Sequence, residues 1–514
     1  MKKFLSLLLC VLLVCIVFSG CENSSSQTDS PAETSSQAGT SSQMSSSEED
    51  FTWEENTDKL VVCFDVGTSF ETDGVGRMQA ISGFQQLLTT YHDRNDLPIR
   101  ASDVELLVIP GGEVEPAERS AMLQKVRTDI MAGKGPDVFI NVSYNRYPFD
   151  MNSISGGRLF NFPEITRESG LFLPLDDLLS KFTLTNIDDL HPQVLEGGRN
   201  QNGELVMIPL VFSVPGVFFP GADAPECEYQ GTSWEDVIEG SDPLLAEQAN
   251  WTLNFWRFSE DGTHVGDHNS GLPYLFPEIA NTETGKLAFS EEELLSIIQD
   301  SFAAYRQVLD SETAVKSGSN FFYVSPLSGG SDAWEFEGVP HDEKGLYTLS
   351  PLRNLSGGST AVVSSYCAVN ANTEKKEQAV ALLDALLCTD HQSGGLATLF
   401  GQCLGFGGMP IDKTIGAADC PYVDSSGYLL PEQFELWQEV CEDINVVRFS
   451  SPLDVEFDNM MMEIEDAMGV YYHPTVEDLI QRDGRFLSGS ITDEKLAEIV
   501  SKYYRRMQTL IDEA

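Results

Sequence analysis

The chain has 514 residues, of which 41% are hydrophobic and 10% aromatic, and it carries a formal charge of −49. This acidic balance excludes the basic face that binding to nucleic-acid phosphates requires. It also excludes attachment to an anionic membrane through basic patches. The composition is that of a globular protein with a hydrophobic core, and the length after residue 58 predicts two lobes rather than one small domain.

The first residues have the pattern of a secretory signal. A short basic head, Met1–Lys3, precedes an apolar stretch from Phe4 to Phe18 that only Ser6 interrupts. The stretch is shorter than the ~20 apolar residues that a membrane-spanning helix needs. We therefore assign residues 1–20 to a signal peptide.

The end of this stretch, Phe18-Ser19-Gly20-Cys21, resembles the lipobox of bacterial lipoproteins, in which small residues precede a cysteine. The resemblance implies cleavage before Cys21 and a diacylglycerol on its thiol, so Cys21 is the predicted lipidation site. Residues 21–57 are mostly small and polar. Such a segment buries too little apolar surface on folding to offset its loss of chain entropy, so we predict a disordered tether. We expect a protein held at the extracellular face of the cell membrane by its lipid anchor only.

Strands and helices alternate after the tether. Short β-rich runs predict strands at 59–66, 104–109 and 138–140. Apolar residues repeat every three to four positions from Met78 to Tyr91 and from about Pro116 to Met131, which predicts a helix in each interval. Gly133 stands where a helix C-cap needs a left-handed residue. This order predicts a parallel sheet covered by helices, whose ligands bind at the carboxyl ends of the strands.

The last helix is predicted from about Thr492 to Asp512. Its apolar residues form one stripe, which is typical of a core-facing helix. The members of the stripe are Leu496, Ile499, Val500, Tyr503, Tyr504, Met507, Leu510 and Ile511.

Seven cysteines follow Cys21, so at least one is unpaired within the chain. Cys367 and Cys388 lie in apolar runs and are predicted to be buried as small hydrophobes. The pair Cys403 and Cys420 lies in a loop-rich stretch, and whether it forms a disulfide stays open.

Six segments resemble, in order, the landmarks of extracellular solute-binding proteins of the maltose-binding type (family 1). Residues 129–138 are similar to the family's "aGkgPDv" segment, and residues 170–178 to its "G-l-l-pLddl" segment. The other four landmarks are at 205–209, 361–387, 409–410 and 474–479. The resemblance covers nearly all of the chain after residue 58, and the segment from about 250 to 287 has no landmark and is interpreted as a variable insertion.

The resemblance implies a two-lobed α/β fold of the type II periplasmic-binding-protein class, with a multi-strand hinge between the lobes. Lobe 1 would comprise 58–165 with 318–370, and lobe 2 would comprise 171–315 with 374–514. The hinge is predicted near 162–170, near 318 and near 370–373. The implied function is capture of a small solute, a sugar, for the permease subunits of an ABC importer. We expect a monomer without a cofactor and without catalytic activity.

Catalytic motifs are missing from the sequence, which contains no HExxH, GxSxG, Walker A loop or GxGxxG after a strand. His264 and His268 lie in a Gly-rich polar setting that predicts a loop, and no metal site is expected there. Acidic residues are so abundant that a secreted carbohydrate-active enzyme stays open as an alternative. A solute-sensing receptor component is a second alternative.

A sugar site needs aromatic rings against the apolar faces of the pyranose and polar side chains for its hydroxyls, because an unmatched polar group costs about 1–3 kcal/mol. We favour Tyr144 and Trp334 most, and for each candidate simple packing or exposure is an equally good explanation. The predicted ligand-binding residues follow strand ends or turns and are Asp65, Phe70, Glu71, Asn141, Tyr144, Asn145, Phe212, Ser213, Trp334 and Tyr366.

Overall fold

The computed structural model of the chain describes residues 58–66, 75–95, 97–109, 116–142, 157–214, 216–219, 257–258, 264–265, 272–309, 322–324, 348–351, 353–389, 409–416, 438–468 and 491–513. The predicted signal peptide, Cys21 and the tether lie outside these ranges. Within them, no helix combines the length and the apolar character that crossing a membrane requires.

The strands of the described residues are spread over the chain from Leu60 to Phe449. In chain order they are β1 (Leu60–Val66), β2 (Val104–Ile109), β3 (Val138–Val142), β4 (Met207–Ser213), β5 (Gly216–Phe219), β6 (Arg257–Phe258), β7 (His264–Val265), β8 (Ala280–Asn281), β9 (Lys286–Leu287), β10 (Phe322–Val324), β11 (Thr348–Pro351), β12 (Ser359–Val369), β13 (Met409–Pro410) and β14 (Ile444–Phe449).

The α-helices range from single turns to twenty-one residues. In chain order they are α1 (Val75–Asn95), α2 (Pro116–Met131), α3 (Pro163–Arg167), α4 (Asp176–Leu179), α5 (Pro192–Glu196), α6 (Leu272–Leu275), α7 (Glu291–Leu309), α8 (Lys376–Leu387), α9 (Pro452–Met468) and α10 (Asp493–Asp512). The predicted bounds of β2 and α2 are confirmed, and Gly133 has the left-handed φ of +74° that a C-cap glycine adopts.

A seven-stranded sheet forms the first core. Its order is β13-β4-β12-β3-β1-β2, and β14 pairs with the first part of β12. The predicted parallel pairing is confirmed for β1 with β2 and with β3. The sheet as a whole is mixed rather than parallel, because β12 runs antiparallel to both β3 and β4. The α/β class is therefore confirmed.

The division into lobes stays a prediction, since residues Thr57–Ala514 form one compact unit. The seven-stranded sheet contains strands from both predicted lobes. Strands β4, β13 and β14 were expected in lobe 2, yet they belong to the sheet that contains β1 and β3.

The two faces of the sheet receive different helices. Right-handed crossovers in the order β3-β1-β2 place α1 and α2 on opposite faces. The predicted apolar face of α1 is confirmed where side chains are described, because Phe84, Leu88 and Tyr91 are buried. Cys63, Cys367, Cys388 and Cys441 are buried, as predicted for Cys367 and Cys388, whereas Cys403 and Cys420 lie outside the described residues.

A second core is helical and is formed by α6, α7, α9 and α10. Phe276 stacks on Phe289 with ring centroids 4.2 Å apart. The C-terminal helix begins after Thr492, whose hydroxyl accepts the N–H of Lys495. The predicted stripe of α10 is confirmed, because six of its eight residues are buried and Tyr504 and Leu510 are partly buried against the same cluster.

The turn after β12 is tied to the start of β3. The Asp137 carboxylate accepts hydrogen bonds from Val61 N (2.8 Å) and Thr373 Oγ1 (2.6 Å), and it pairs with Lys375 Nζ (3.1 Å). Asn370 Nδ2 donates to the Pro136 carbonyl over 2.9 Å. A turn held at this many points is poorly suited to absorb a hinge rotation, although hinge residues were predicted at 370–373.

Candidate functional site

Three of the predicted ligand-binding residues form one row across the sheet. Asp65 of β1 is the pairing partner of Asn141 of β3, and Asn141 is the partner of Tyr366 of β12. Directly paired residues project from the same face of a sheet. The row lies near the carboxyl ends of β1 and β3, where ligands of parallel strands bind. All three side chains are buried.

Asp65 is engaged within the protein through both carboxylate oxygens. Oδ1 lies 2.8 Å from Arg119 Nη2, and neither side chain is more than 3% exposed. Oδ2 accepts the N–H of Leu159 over 2.7 Å. The charge of Asp65 is therefore neutralised by Arg119, and its geometry supports a positioning role. Direct contact with a ligand stays a prediction.

Asn141 is the member of the row with an unused hydrogen-bonding group. Its Nδ2 is buried and has no hydrogen-bond partner among the described residues. A side-chain amide nitrogen carries two donors. Leaving a buried donor unmatched costs about 1–3 kcal/mol. This amide is therefore available to an acceptor oxygen that the described part of the chain does not supply.

Tyr366 closes the row at β12. Its ring packs edge-on against Phe449, with centroids 5.2 Å apart and an interplanar angle of 87°. Burial raises the pKa of its hydroxyl well above the usual value, and the nearby Asp65 carboxylate raises it further. The hydroxyl therefore remains protonated and can donate. The row therefore contains two uncharged groups that can donate a hydrogen bond, the Tyr366 hydroxyl and the Asn141 amide.

Phe212 and Ser213 lie on β4, beyond β12. Phe212 is fully buried and packs edge-on against His191, with ring centroids 5.4 Å apart. The structure thus gives Phe212 a packing role, while its predicted ligand contact stays untested. Ser213 lies in the strand, and its side chain is outside the described part of the molecule.

The contact of His191 with Phe212 has a pH dependence. Burial lowers the pKa of His191 to about 4, and Lys413 lowers it while Asp412 raises it. The unfolded chain, with a histidine pKa near 6.5, binds this proton more readily than the folded chain. Stability should therefore fall as the pH falls from about 6.5 to 4, by about 3 kcal/mol in total.

Urea unfolding of the wild type and His191→Phe at several pH values between 7.5 and 4.5 checks this prediction. Phenylalanine keeps a ring beside Phe212 and cannot be protonated, so acidification should destabilise the variant less than the wild type. Carboxylates elsewhere affect both proteins alike and cancel in the difference. Equal losses in the two proteins would rule out His191 as a source of the pH dependence.

Five predicted site residues lie outside the described residues: Phe70, Glu71, Tyr144, Asn145 and Trp334. Arg119, which is fully buried, is not among the residues predicted from the sequence. A signal for it exists in the pattern of α2, because Arg119 extends by one turn the apolar stripe that continues with Met122 and Val126. A charged residue on such a stripe indicates a buried partner.

The predicted loop around His264 is partly wrong. His264 lies in β7, where it pairs with Phe258 of β6, while His268 lies outside the described residues. Within the described part of the chain, no group of three or more His, Cys, Asp or Glu side chains could hold a metal ion.

No family model matches the sequence, and no curated protein is significantly similar to it. Among solved structures, the sugar-binding protein MalE from Xanthomonas citri is similar, with 14% identity, 87% of this chain and 98% of that chain covered, and a TM-score of 0.47. A periplasmic oligogalacturonide-binding protein from Yersinia enterocolitica has 13% identity, coverages of 87% and 100%, and a TM-score of 0.43. A de novo designed cysteine esterase has 12% identity, coverages of 89% and 99%, and a TM-score of 0.44. At these identities and TM-scores, the similarity indicates neither a ligand nor an activity for this chain.

Proposed function

We propose that this protein is an extracellular solute-binding lipoprotein that captures a small carbohydrate and delivers it to the permease subunits of an ABC importer. The signal, the lipobox ending in Cys21 and the ordered family landmarks support this assignment. The observation that carries solute binding is the unmatched Nδ2 donor of Asn141, buried near the carboxyl ends of β1 and β3. A buried donor without a partner destabilises the folded protein, and such a group is best explained where a bound ligand supplies the missing acceptor.

The chemistry of the row favours an oxygen-rich, uncharged part of a ligand. Asn141 and Tyr366 both donate, so they match hydroxyl, ring or carbonyl oxygens. The Asp65 carboxylate is already paired with Arg119 and adds no free negative charge. A sugar presents several such acceptor oxygens on one small molecule.

A thermal-shift screen of the purified protein tests the proposal, because a ligand that binds only the folded state raises the stability by RT ln(1+[L]/Kd). The library should contain neutral oligosaccharides, acidic oligosaccharides, amino acids and short peptides. Stabilisation by one class of oligosaccharide, without its turnover, is the expected result. Cleavage of the sugar would instead establish the enzyme alternative. Stabilisation by amino acids or peptides alone would overturn the carbohydrate assignment.

Asn141→Leu should separate binding from stability. Leucine has a similar size and no donor, so relief of the unmatched amide should leave the free energy of unfolding unchanged or raise it by about 1 kcal/mol. Loss of the donor to the solute should weaken binding at least tenfold, which corresponds to about 1.4 kcal/mol. Calorimetry with the sugar found in the screen and urea unfolding measure the two effects.

Asn202→Leu is the matched control, because Asn202 is exposed in the turn before β4 and, among the described residues, its backbone N–H alone takes part in a hydrogen bond. It should bind with wild-type affinity. Unchanged affinity in Asn141→Leu would remove the row from the binding site.

A further inference from the structure

The segment 157–164, which we call the bridging segment, is held by the first core through its backbone. Arg119 Nε and Nη2 donate to the Gly157 carbonyl over 3.0 and 2.8 Å. Arg127, two turns later on α2, donates to the carbonyls of Arg158 and Leu159. Asp65 accepts the Leu159 N–H. Side chains of α2 and β1 thus form hydrogen bonds with the backbone of three consecutive residues of this segment.

The same segment holds the junction of β14 and α9 through its side chains. Arg158 Nη1 donates to the Ser450 carbonyl over 3.2 Å. Glu164 Oε1 accepts the Phe449 N–H over 2.8 Å. The two held residues are neighbours at the point where β14 ends and α9, a helix of the second core, is about to begin.

The first turn of α9 is in turn fixed to its own core. Asp454 Oδ2 accepts the Ser451 N–H over 2.8 Å, and its Oδ1 lies 2.6 Å from Arg448 Nη2. Arg448 Nη1 donates to the Pro273 carbonyl of α6 over 2.8 Å. The hydrogen bonds therefore continue from α2 and β1, through the bridging segment, to α9 and α6.

Arg158 stands at the centre of this connection electrostatically. Burial lowers the pKa of the Arg158 guanidinium, whereas the carboxylates of Asp65 and Asp454, which lie on opposite sides of the connection, raise it. Each of these carboxylates forms its ion pair with another arginine, Asp65 with Arg119 and Asp454 with Arg448. Displacement of Arg158 would thus remove a positive charge from the field of both carboxylates in a poorly solvated place.

We propose that the bridging segment is a rigid coupling between the two cores, in which Arg158 is the latch. A hinge would need few contacts and freedom to change its dihedral angles. The backbone of residues 157–159 is instead hydrogen-bonded to side chains of α2 and β1. The side chains of Arg158 and Glu164 are hydrogen-bonded to the β14–α9 junction. Loss of the Arg158 bond to Ser450 releases the β14–α9 junction while each core stays folded. The inference goes beyond solute capture, and it concerns the protein without solute.

Hydrogen exchange of the full chain, followed by mass spectrometry, tests the latch. Arg158→Met keeps the side-chain stem and removes the donor. Peptides that cover 449–460 should exchange at least tenfold faster than in the wild type. Peptides that cover β1 and β3 should be unchanged. Arg505→Met is the control, because Arg505 is exposed on α10 and, among the described residues, its side chain bonds only to Ser501 of the same helix.

A second pair of variants keeps the test decisive if Arg158→Met does not fold. Glu164→Gln retains an oxygen that can accept the Phe449 N–H, whereas Glu164→Leu does not. The glutamine variant should keep wild-type protection at 449–460, and the leucine variant should lose it. Unchanged exchange in Arg158→Met, or an equal increase over the whole chain, would overturn the proposal. Solute binding is not part of the measurement, so failure here leaves the proposed function untouched.

Discussion

Asp65→Leu should lower the free energy of unfolding by about 3–5 kcal/mol, because it takes the carboxylate partner from a fully buried arginine. Arg119 is not exposed at all, and its Nη2 lies 2.8 Å from Asp65 Oδ1. The same substitution removes the acceptor of the Leu159 N–H. Desolvation makes each of these losses larger than at an exposed ion pair, whose contribution is about 0–1 kcal/mol. Urea unfolding measures the difference.

A double-mutant cycle identifies the cause of this loss. Arg119→Met should also destabilise the protein, whereas Asp65→Leu combined with Arg119→Met should cost clearly less than the sum of the two single changes. The reason is that an apolar pair no longer contains a buried uncompensated charge. Some loss should remain, since Leu159 N–H and the Gly157 carbonyl still lack their partners. Strict additivity would contradict a buried ion pair.

The Asp65→Leu variant also distinguishes two possible roles of Asp65, positioning of the bridging segment and contact with solute. If Asp65 positions the bridging segment, Asp65→Leu should be less stable whether or not solute is present. If Asp65 contacts solute without a structural role, the variant should unfold like the wild type and fail to bind. The bonds of both carboxylate oxygens lead us to expect the first result.

Gly198→Ala should cost at least about 3 kcal/mol, because the added methyl group meets backbone atoms that cannot turn away. A Cβ at Gly198 would lie 1.9 Å from the Met207 carbonyl oxygen and 2.8 Å from its carbon. The Gly198 carbonyl also accepts the N–H groups of Val206 and Met207 at the start of β4. Relief would require displacement of β4, which pairs with β12 beside Tyr366.

Two other glycines serve as controls for this effect. Gly203 has a φ of +79° and nothing within 4 Å of an added Cβ, so Gly203→Ala should cost only about 1–2 kcal/mol of backbone strain. A Cβ at Gly197 would meet the Val447 side chain at 2.3 Å. This Cβ would also lie 2.6 Å from the Val447 Cβ. Val447→Gly, which removes both atoms, should therefore restore part of the stability lost in Gly197→Ala, whereas it should not rescue Gly198→Ala. Similar losses at Gly198 and Gly203 would contradict the steric explanation.

The local sequence pattern was sufficient to predict the C-terminal helix and the first five strands and α-helices of the fold, which are β1, α1, β2, α2 and β3. Their signals are the spacing of apolar residues along the chain and the glycine at Gly133 where a helix ends, both of which act within a few residues of chain. The same pattern indicated that the strand ends of the sheet would carry polar side chains. Asp65, Asn141 and Tyr366 were named for this reason.

Only the tertiary structure decided what those side chains do. The row depends on the insertion of β12 antiparallel beside β3, a pairing between segments far apart in sequence that no local period encodes. The same holds for Arg119, whose charge is buried because Asp65 and the Gly157 carbonyl arrive from other parts of the chain. Burial and charge compensation are properties of the assembled core. For this reason the sequence could place Asp65 and Asn141 near one strand edge, while only the fold distinguished the paired carboxylate from the unmatched amide.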